Sequence, residues 1–355
     1  KEQAVRHEVL AVRNSVGILD ASTLGKIDIK GPDAAALLDW IYTNDWARLG
    51  VGRCRYGVMC REDGMVLDDG VTARLGDEHF LMHTTSGNAE RVAAWLEEWL
   101  QTEWPAMRAR CTVVTEHYAT VAVAGPNARR LLTALAAGID FAAAAFPHMA
   151  VREGAVAGIP ARVFRVSYTG ELSYEINVKA RHGLTLWHAL LTAGERFGVM
   201  PFGTEAMHVL RAEKGYIMAG QETDGTVTPL DLGMERAIST RKDFLGKRSL
   251  SRADMTKPDR KQLVGLLTED PDDVLPEGAH IVAEQGEKAP LQAQGHVTSS
   301  YYSPTLGRSI ALALLRGGRG QLGRQVFVPR ETGGSSAATV VDPAFYDPKG
   351  ARLHG

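Results

Sequence analysis

Apolar and polar positions alternate in short runs along this chain, separated by stretches in which apolar residues recur every three to four positions. Residues 57–60 and 70–73 alternate on either side of Glu62-Asp63-Gly64, the pattern of a β-hairpin. A strand is expected over 79–84, then a helix over 88–101 with Val92, Trp95, Leu96 and Trp99 on one face. Residues 112–125 alternate as one long strand, and 161–168 and 174–178 form a second hairpin around Thr169-Gly170-Glu171. Helices follow over 184–197 and 204–214, with Gly215 as the C-cap of the second, and another begins at 242. The first residues, 2–14, read as a charged helix.

Two segments echo each other. Residues 29–38 and 123–132 each carry a strand into Gly-Pro and then a helix with inward Ala and Leu positions; proline belongs in a helix's first turn, where its missing N–H costs nothing. The echo suggests two related α/β units. Hairpin pairing makes their sheets mixed and largely antiparallel, so the fold class is α+β rather than doubly wound. The polar stretch 251–261, with Pro258, marks a boundary. Beyond it, short strands over 263–267, 280–283, 295–299, 309–315, 325–328 and 337–341 predict a small closed or sandwiched β domain. The Gly- and Arg-rich run 317–323 reads as a flexible hairpin loop.

Composition narrows the function only by exclusion. The chain has 355 residues, 40 Lys plus Arg and 42 Asp plus Glu, for a formal charge of −2. That is ordinary globular usage and argues against a nucleic-acid or anionic-membrane surface. No run approaches the ~20 apolar residues that span a bilayer. Three cysteines, Cys54, Cys60 and Cys111, do not make a disulfide framework or zinc spacing, so a reducing compartment is expected, the cytoplasm. Lys1 in place of Met suggests a piece of a longer polypeptide. HExxH, GxSxG and GxxxxGK[ST] are absent, and the eleven His are scattered, so no metal site is expected.

The chemistry-bearing residues lie in the hairpins. Asp68 and Asp69 are adjacent on a strand and point to opposite faces, so only one can look into a pocket. Glu175, between Tyr174 and Ile176 in an otherwise buried strand, suits a ligand presenting paired N–H donors, such as an amino-pyrimidine ring. Arg211 and Glu213 are two apart and do not share a helix face, so they read as capping or inter-domain ion pairs.

In order, residues 17–26, Gly31-Pro32, 42–45, Tyr56, 64–70, 168–175, 210–213, 220–222, 244–247 and 297–312 resemble the folate-binding aminomethyltransferase family typified by the glycine-cleavage T-protein. Residues 20–26, 52–57, 100–105 and 345–353 are similar to one branch of it, the carboxy-terminal halves of the α subunits of heterotetrameric sarcosine oxidases.

The resemblance implies a T-protein-like fold: one folate-binding unit from 1–25 and 112–250, a second unit over 26–111, and a β-barrel over 262–355. It implies tetrahydrofolate as cofactor, with flavin and NAD only in a missing half or in partner subunits. The reaction implied joins the imine of sarcosine oxidation to tetrahydrofolate, giving 5,10-methylenetetrahydrofolate and glycine. The β, γ and δ subunits of such an oxidase are the implied partners. The family's catalytic Asp falls on Asp69, its pterin-binding Glu on Glu175 and its pocket tyrosines on Tyr56 and Tyr168. Thr85 joins the folate-binding set, near an Asn that T-proteins carry and this chain lacks. Met207 stands where T-proteins have a tail-contacting Arg, which leaves Arg211 or Arg236 for that role. The alternatives are a stand-alone aminomethyltransferase or folate-dependent demethylase, and a folate-binding module without chemistry. The related iron–sulfur assembly proteins carry Lys-Gly-Cys-Tyr where this chain has Lys214-Gly215-Tyr216-Ile217, and are excluded.

Overall fold

A computed structural model describes residues 2–285, 291–331 and 333–355; Lys1 lies outside them. The α+β expectation holds. Two sheets and a barrel make up the molecule. The larger sheet runs in the order Val199–Pro201, Val16–Asp20, Tyr118–Ala124, Ser173–Lys179, Ile159–Arg165, Ala150–Val156, Ala136–Ala137. Only its first pair is parallel. The smaller sheet runs Cys54–Cys60, Val66–Gly76, His79–Thr84, Gly25–Lys30, Arg110–Val113. Lys261–Thr268, Arg308–Arg316, Ala293–Ser303, His280–Val282, Gln325–Pro329 and Ser335–Val341 close the barrel.

The two echoing segments adopt the same local structure. Gly31 (φ 131°) and Gly125 (φ 129°) make the same turn from strand to helix, before Ala34–Ile41 and Ala128–Leu135. A Cβ on Gly31 would meet the Arg108 carbonyl oxygen at 2.0 Å, so only glycine fits there. Each helix buries its inward Ala and Leu against its own sheet: Ala34, Leu37 and Leu38 in one unit, Ala128, Leu131 and Leu132 in the other.

The expected strand over 112–125 is broken. Arg110–Val113 pairs in the smaller sheet, Thr115–His117 forms a 3₁₀ turn, and Tyr118–Ala124 pairs in the larger. The chain passes between sheets at this turn, a change of partner that alternation alone does not register. The helix begun at 242 is also shorter than expected and covers only Lys247–Leu250. Ahead of it, the Ser239 and Leu245 amides bond the Thr43 and Trp40 carbonyls, seating this segment on the smaller sheet's helix. The Gly-Arg run is pinned, with Arg319 donating to Glu235 and to the Leu230 carbonyl.

The two sheets face each other across a mixed layer. Cys54, Ala73 and Leu81 of the smaller sheet pack against Val151, Phe164 and Val166 of the larger. Among the described residues no helix is long and apolar enough to cross a membrane.

Candidate active site

The site is built from the register of the first hairpin. Val58 pairs with Asp69 and Tyr56 with Val71, so Tyr56 and Asp69 share the face that looks toward the larger sheet. The Tyr56 hydroxyl donates to Asp69 Oδ2 at 2.7 Å. Burial, reinforced by the charges of Asp68 and Glu222, pushes the Asp69 carboxyl up to about 7 against the pull of that hydrogen bond. The same burial holds the Tyr56 phenol well above its ordinary value, so it remains a donor.

Asp68 faces the other way and is fully buried. It accepts from the Thr85 amide and from Asn88 Nδ2, both at 3.1 Å. Thr85 therefore contacts Asp68 and helps fix the strand that carries Asp69. Asn88, which the sequence reading passed over, holds the second oxygen of the same carboxylate.

Tyr168 sits at the start of the turn after Ile159–Arg165. Its hydroxyl donates to the Ile217 carbonyl at 2.8 Å and its ring stacks on Tyr216 at 6.3 Å. The charges of Asp69, Glu222 and Arg211 all act on it, which places it on the Asp69 side of the site.

Glu175 comes from the facing sheet, between Phe164 and Ala122 in register. Among the described residues its carboxylate has no hydrogen-bond or ion-pair partner, and it keeps accessible surface. Burial nonetheless pushes its carboxyl up to about 7, with the Lys26 charge opposing the rise. Glu175 is thus desolvated in the layer between the two sheets with no donor of its own among the described residues. Lys26 donates to the Ser22 and Leu24 carbonyls at 3.1 and 2.8 Å, and burial lowers it to about 8. Tyr56, Asp69 and Tyr168 thus gather on one side, with Glu175 and Lys26 apart from them in the layer between the sheets.

Of the two cations considered for a ligand's tail, Arg211 is committed elsewhere. It donates to the Tyr216 carbonyl at 3.0 Å, Glu222 at 2.8 Å and Ser299 at 2.6 Å. Arg236 instead borders a cleft of about 690 Å³ with Asn44, Arg55, Tyr56 and Arg241. Met207 packs beside Phe202 and Tyr301. Cys54, Cys60 and Cys111 are free thiols. Among the described residues no cluster of three His, Cys, Asp or Glu is arranged to hold a metal.

This fold, with its inward carboxylates, is that of a folate-dependent aminomethyltransferase-type domain. The family model of the GCVT N-terminal domain matches residues 1–242, and that of the glycine cleavage T-protein C-terminal barrel domain matches 261–347. The chain belongs to the glycine-cleavage T-protein family, and the relatives it matches include a sarcosine oxidase subunit and aminomethyltransferases, all enzymes. It is 51% identical over 357 residues to sarcosine oxidase subunit alpha of Corynebacterium sp. (strain P-1), covering 100% of this chain and 37% of that subunit. The chain therefore spans little more than a third of that relative. It is 34% identical to an aminomethyltransferase of Geobacillus kaustophilus, covering 97% of this chain and 90% of that one. The crystal structure of glycine cleavage system aminomethyltransferase T from Bartonella henselae superposes with a TM-score of 0.85 at 25% identity, covering 97% of this chain and 90% of that one.

Proposed function

We propose that this chain is the tetrahydrofolate-binding, one-carbon-transferring part of a sarcosine oxidase α subunit. On this reading it takes the imine of sarcosine oxidation as substrate and releases glycine. The observation that carries the reading is the pair of desolvated carboxylates at the interface of the two sheets, Asp69 held by one tyrosine and Glu175 without a hydrogen-bond partner among the described residues. The likeness along the whole chain to a sarcosine oxidase α subunit supports that setting.

The residues fit tetrahydrofolate. Glu175 offers two acceptor oxygens to paired ring N–H groups, and Tyr56 and Tyr168 supply aromatic walls. Bound tetrahydrofolate supplies a secondary amine that accepts the one-carbon unit. Asp69 has the central role for this chain. Its ionised form opposes the positive charge of an iminium substrate, and a carboxyl titrating near 7 both takes and returns a proton at neutral pH. Tyr56 fixes the carboxylate's orientation, while Thr85 and Asn88 hold the strand through Asp68. Arg236 and its cleft are the reading's candidate for the ligand's anionic tail. Flavin and NAD sites, and the β, γ and δ subunits, belong to the rest of the assembly in this reading, which places it in the cytoplasm.

Calorimetric titration with tetrahydrofolate and its polyglutamates tests the cofactor, and D69N tests the chemistry. Binding by D69N is expected to match the wild type, with transfer from the imine falling ~10²–10⁴-fold, the usual contribution of a positioned acid–base group. Unchanged transfer removes Asp69 from the mechanism. Absence of binding at high micromolar tetrahydrofolate removes the reading itself.

A further inference from the structure

Beyond the barrel's last strand, Ser335–Val341, the chain returns to the larger sheet and settles on the turn Tyr168-Thr169-Gly170-Glu171. Asp347 directs this return. Its backbone takes φ 44°, a left-handed conformation that aspartate adopts more readily than most residues. Its carboxylate accepts from the Ala351 and Arg352 amides, each at 3.0 Å. The turn so fixed brings Arg352 to Glu171, which is 1% exposed. Glu171 accepts from Arg352 Nε at 3.0 Å, from the Tyr346 hydroxyl at 3.1 Å and from Arg13 at 3.0 Å. Arg352 also donates to the Arg13 carbonyl at 2.6 Å, and the Arg13 guanidinium lies over the Tyr346 ring at 4.2 Å.

Tyr168 has two anchors, its own turn and the loop that accepts its hydroxyl, and residues 343–352 press on both. In the turn, Arg13 donates to the Thr169 carbonyl at 2.8 Å. Gly170 (φ 81°) lies on the stem of Lys214, so that a Cβ there would meet Lys214 Cγ and Cδ at 2.4 Å. Lys214 donates to the Asp347 carbonyl and meets the Asp347 carboxylate at 3.4 Å. In the loop, Tyr216 stacks on Tyr168 and the Ile217 carbonyl accepts its hydroxyl. The preceding Gly215 runs against the Pro343 carbonyl oxygen, which a Cβ at Gly215 would meet at 2.6 Å. A tyrosine supported at both ends by one segment is ordered before anything binds beside it.

We propose that residues 343–352 form a clasp that orders Tyr168 in advance of its ligand, with Glu171, Arg352, Tyr346 and Lys214 as positioning residues that act through it. The proposal rests on the reading of Tyr168 as a wall of the tetrahydrofolate pocket. The physical gain is preorganisation: a wall already in place spares the ligand the entropy of fixing a side chain on binding. The clasp also couples the barrel to that wall, because it starts from the barrel's last strand and ends on the larger sheet's turn. Glu171 is the common acceptor, with donors from the amino-terminal helix and from the clasp. Removing one clasp donor therefore leaves the carboxylate paired and the turn less constrained.

The test compares R352M, Y346F and K214M with R330M, all in the full chain. R352M leaves Arg13 and Tyr346 on Glu171, Y346F keeps the ring against Arg13, and K214M keeps the stem beneath Gly170 while releasing Asp347. R330M removes an ion pair with Asp273 in the barrel and is the control for lost stability alone. In the empty protein, the amides of 168–172 and 215–217 are expected to exchange hydrogen several-fold faster in the clasp variants and at the wild-type rate in R330M. Calorimetric titration is expected to show tetrahydrofolate binding about 2–10-fold weaker in the clasp variants, the cost of ordering one side chain on binding, and unchanged in R330M. Transfer at saturating tetrahydrofolate is expected to match the wild type, so that KM moves and kcat does not. Clasp variants that lose stability but keep wild-type exchange at 168–172 overturn the proposal. So do variants that exchange faster yet bind as tightly as the wild type, because the clasp then orders nothing that the ligand uses. No binding by the wild type overturns the folate reading instead, and the exchange comparison still judges the clasp on its own.

Discussion

Buried charge is handled in two opposite ways in this molecule. Where the amino-terminal helix, the helix Thr204–Glu213 and the barrel meet, every carboxylate is paired. Arg13 donates to Glu213 at 2.7 and 3.0 Å and to Glu171 at 3.0 Å, and Ser303 donates to the other Glu213 oxygen at 2.6 Å. Arg211 meets Glu222 at 2.8 Å, while Thr298, Ser299 and the Met218 amide complete that carboxylate. Between the sheets, and among the described residues, Asp69 has one side-chain donor and Glu175 has none. The first arrangement joins elements remote in sequence and satisfies the buried oxygens from within. The second leaves acceptors desolvated, a state that weakens the empty protein and favours any ligand that brings donors.

The sharpest way to break this contrast is to leave a charge stranded in the paired region. R211M deprives Glu222 of its cation inside a wholly buried cluster, and removing one partner of such a pair costs ~3–5 kcal/mol. Urea denaturation is expected to show a loss of that size with the m-value retained. A loss below 1 kcal/mol means that the hydroxyls of Thr298 and Ser299 suffice for Glu222.

The reverse operation belongs at Glu175. The folded carboxyl titrates near 7, above its ordinary 4.5, so its contribution to stability is fully present below about pH 4.5 and is lost as pH rises through about 7. Asp69 acts in the same direction. E175Q removes the charge at constant shape. The empty protein is therefore expected to gain up to about 3 kcal/mol at pH 8 and to show a flatter melting profile between pH 5 and 8. Tetrahydrofolate affinity is expected to fall by about tenfold or more, with the lost charge-assisted bonds. Thermal melts across pH check the first expectation and calorimetry the second. A variant less stable than the wild type at pH 8 contradicts the picture of a strained carboxylate.

Much of this was readable from the chain. Alternation placed both hairpins, and the adjacency of Asp68 and Asp69 forced them to opposite faces, as the hydrogen bonds of Asp68 to Thr85 and Asn88 make concrete. The two-residue offset of Arg211 and Glu213 separated them correctly into different ion pairs. What escaped notice depends on which strands oppose one another. The sheet change at Thr115–His117 sits inside an unbroken alternating run. Parity along one strand says nothing of the facing sheet. The commitment of Arg211 to Glu222 and to Ser299 of the barrel emerges only from its partners in space.

The mildest perturbation separates the two halves of the unpaired set. Y56F removes the hydroxyl that donates to Asp69 and leaves the ring in place. That hydrogen bond lowers the Asp69 carboxyl, so losing it moves the titration upward from about 7. A bond to a charged group corresponds to about one pH unit. If ionised Asp69 is the form that meets the cationic substrate, the rising limb of the transfer rate shifts to higher pH by that amount. The rate at pH 7 is then expected to fall about 3–10-fold, and most of it returns at pH 9. The recovery is the informative part. A deficit that is the same at pH 7 and pH 9 assigns Tyr56 to ligand contact, whereas recovery assigns it to tuning Asp69, with Glu175 titrating as before because no hydrogen bond links it to this tyrosine.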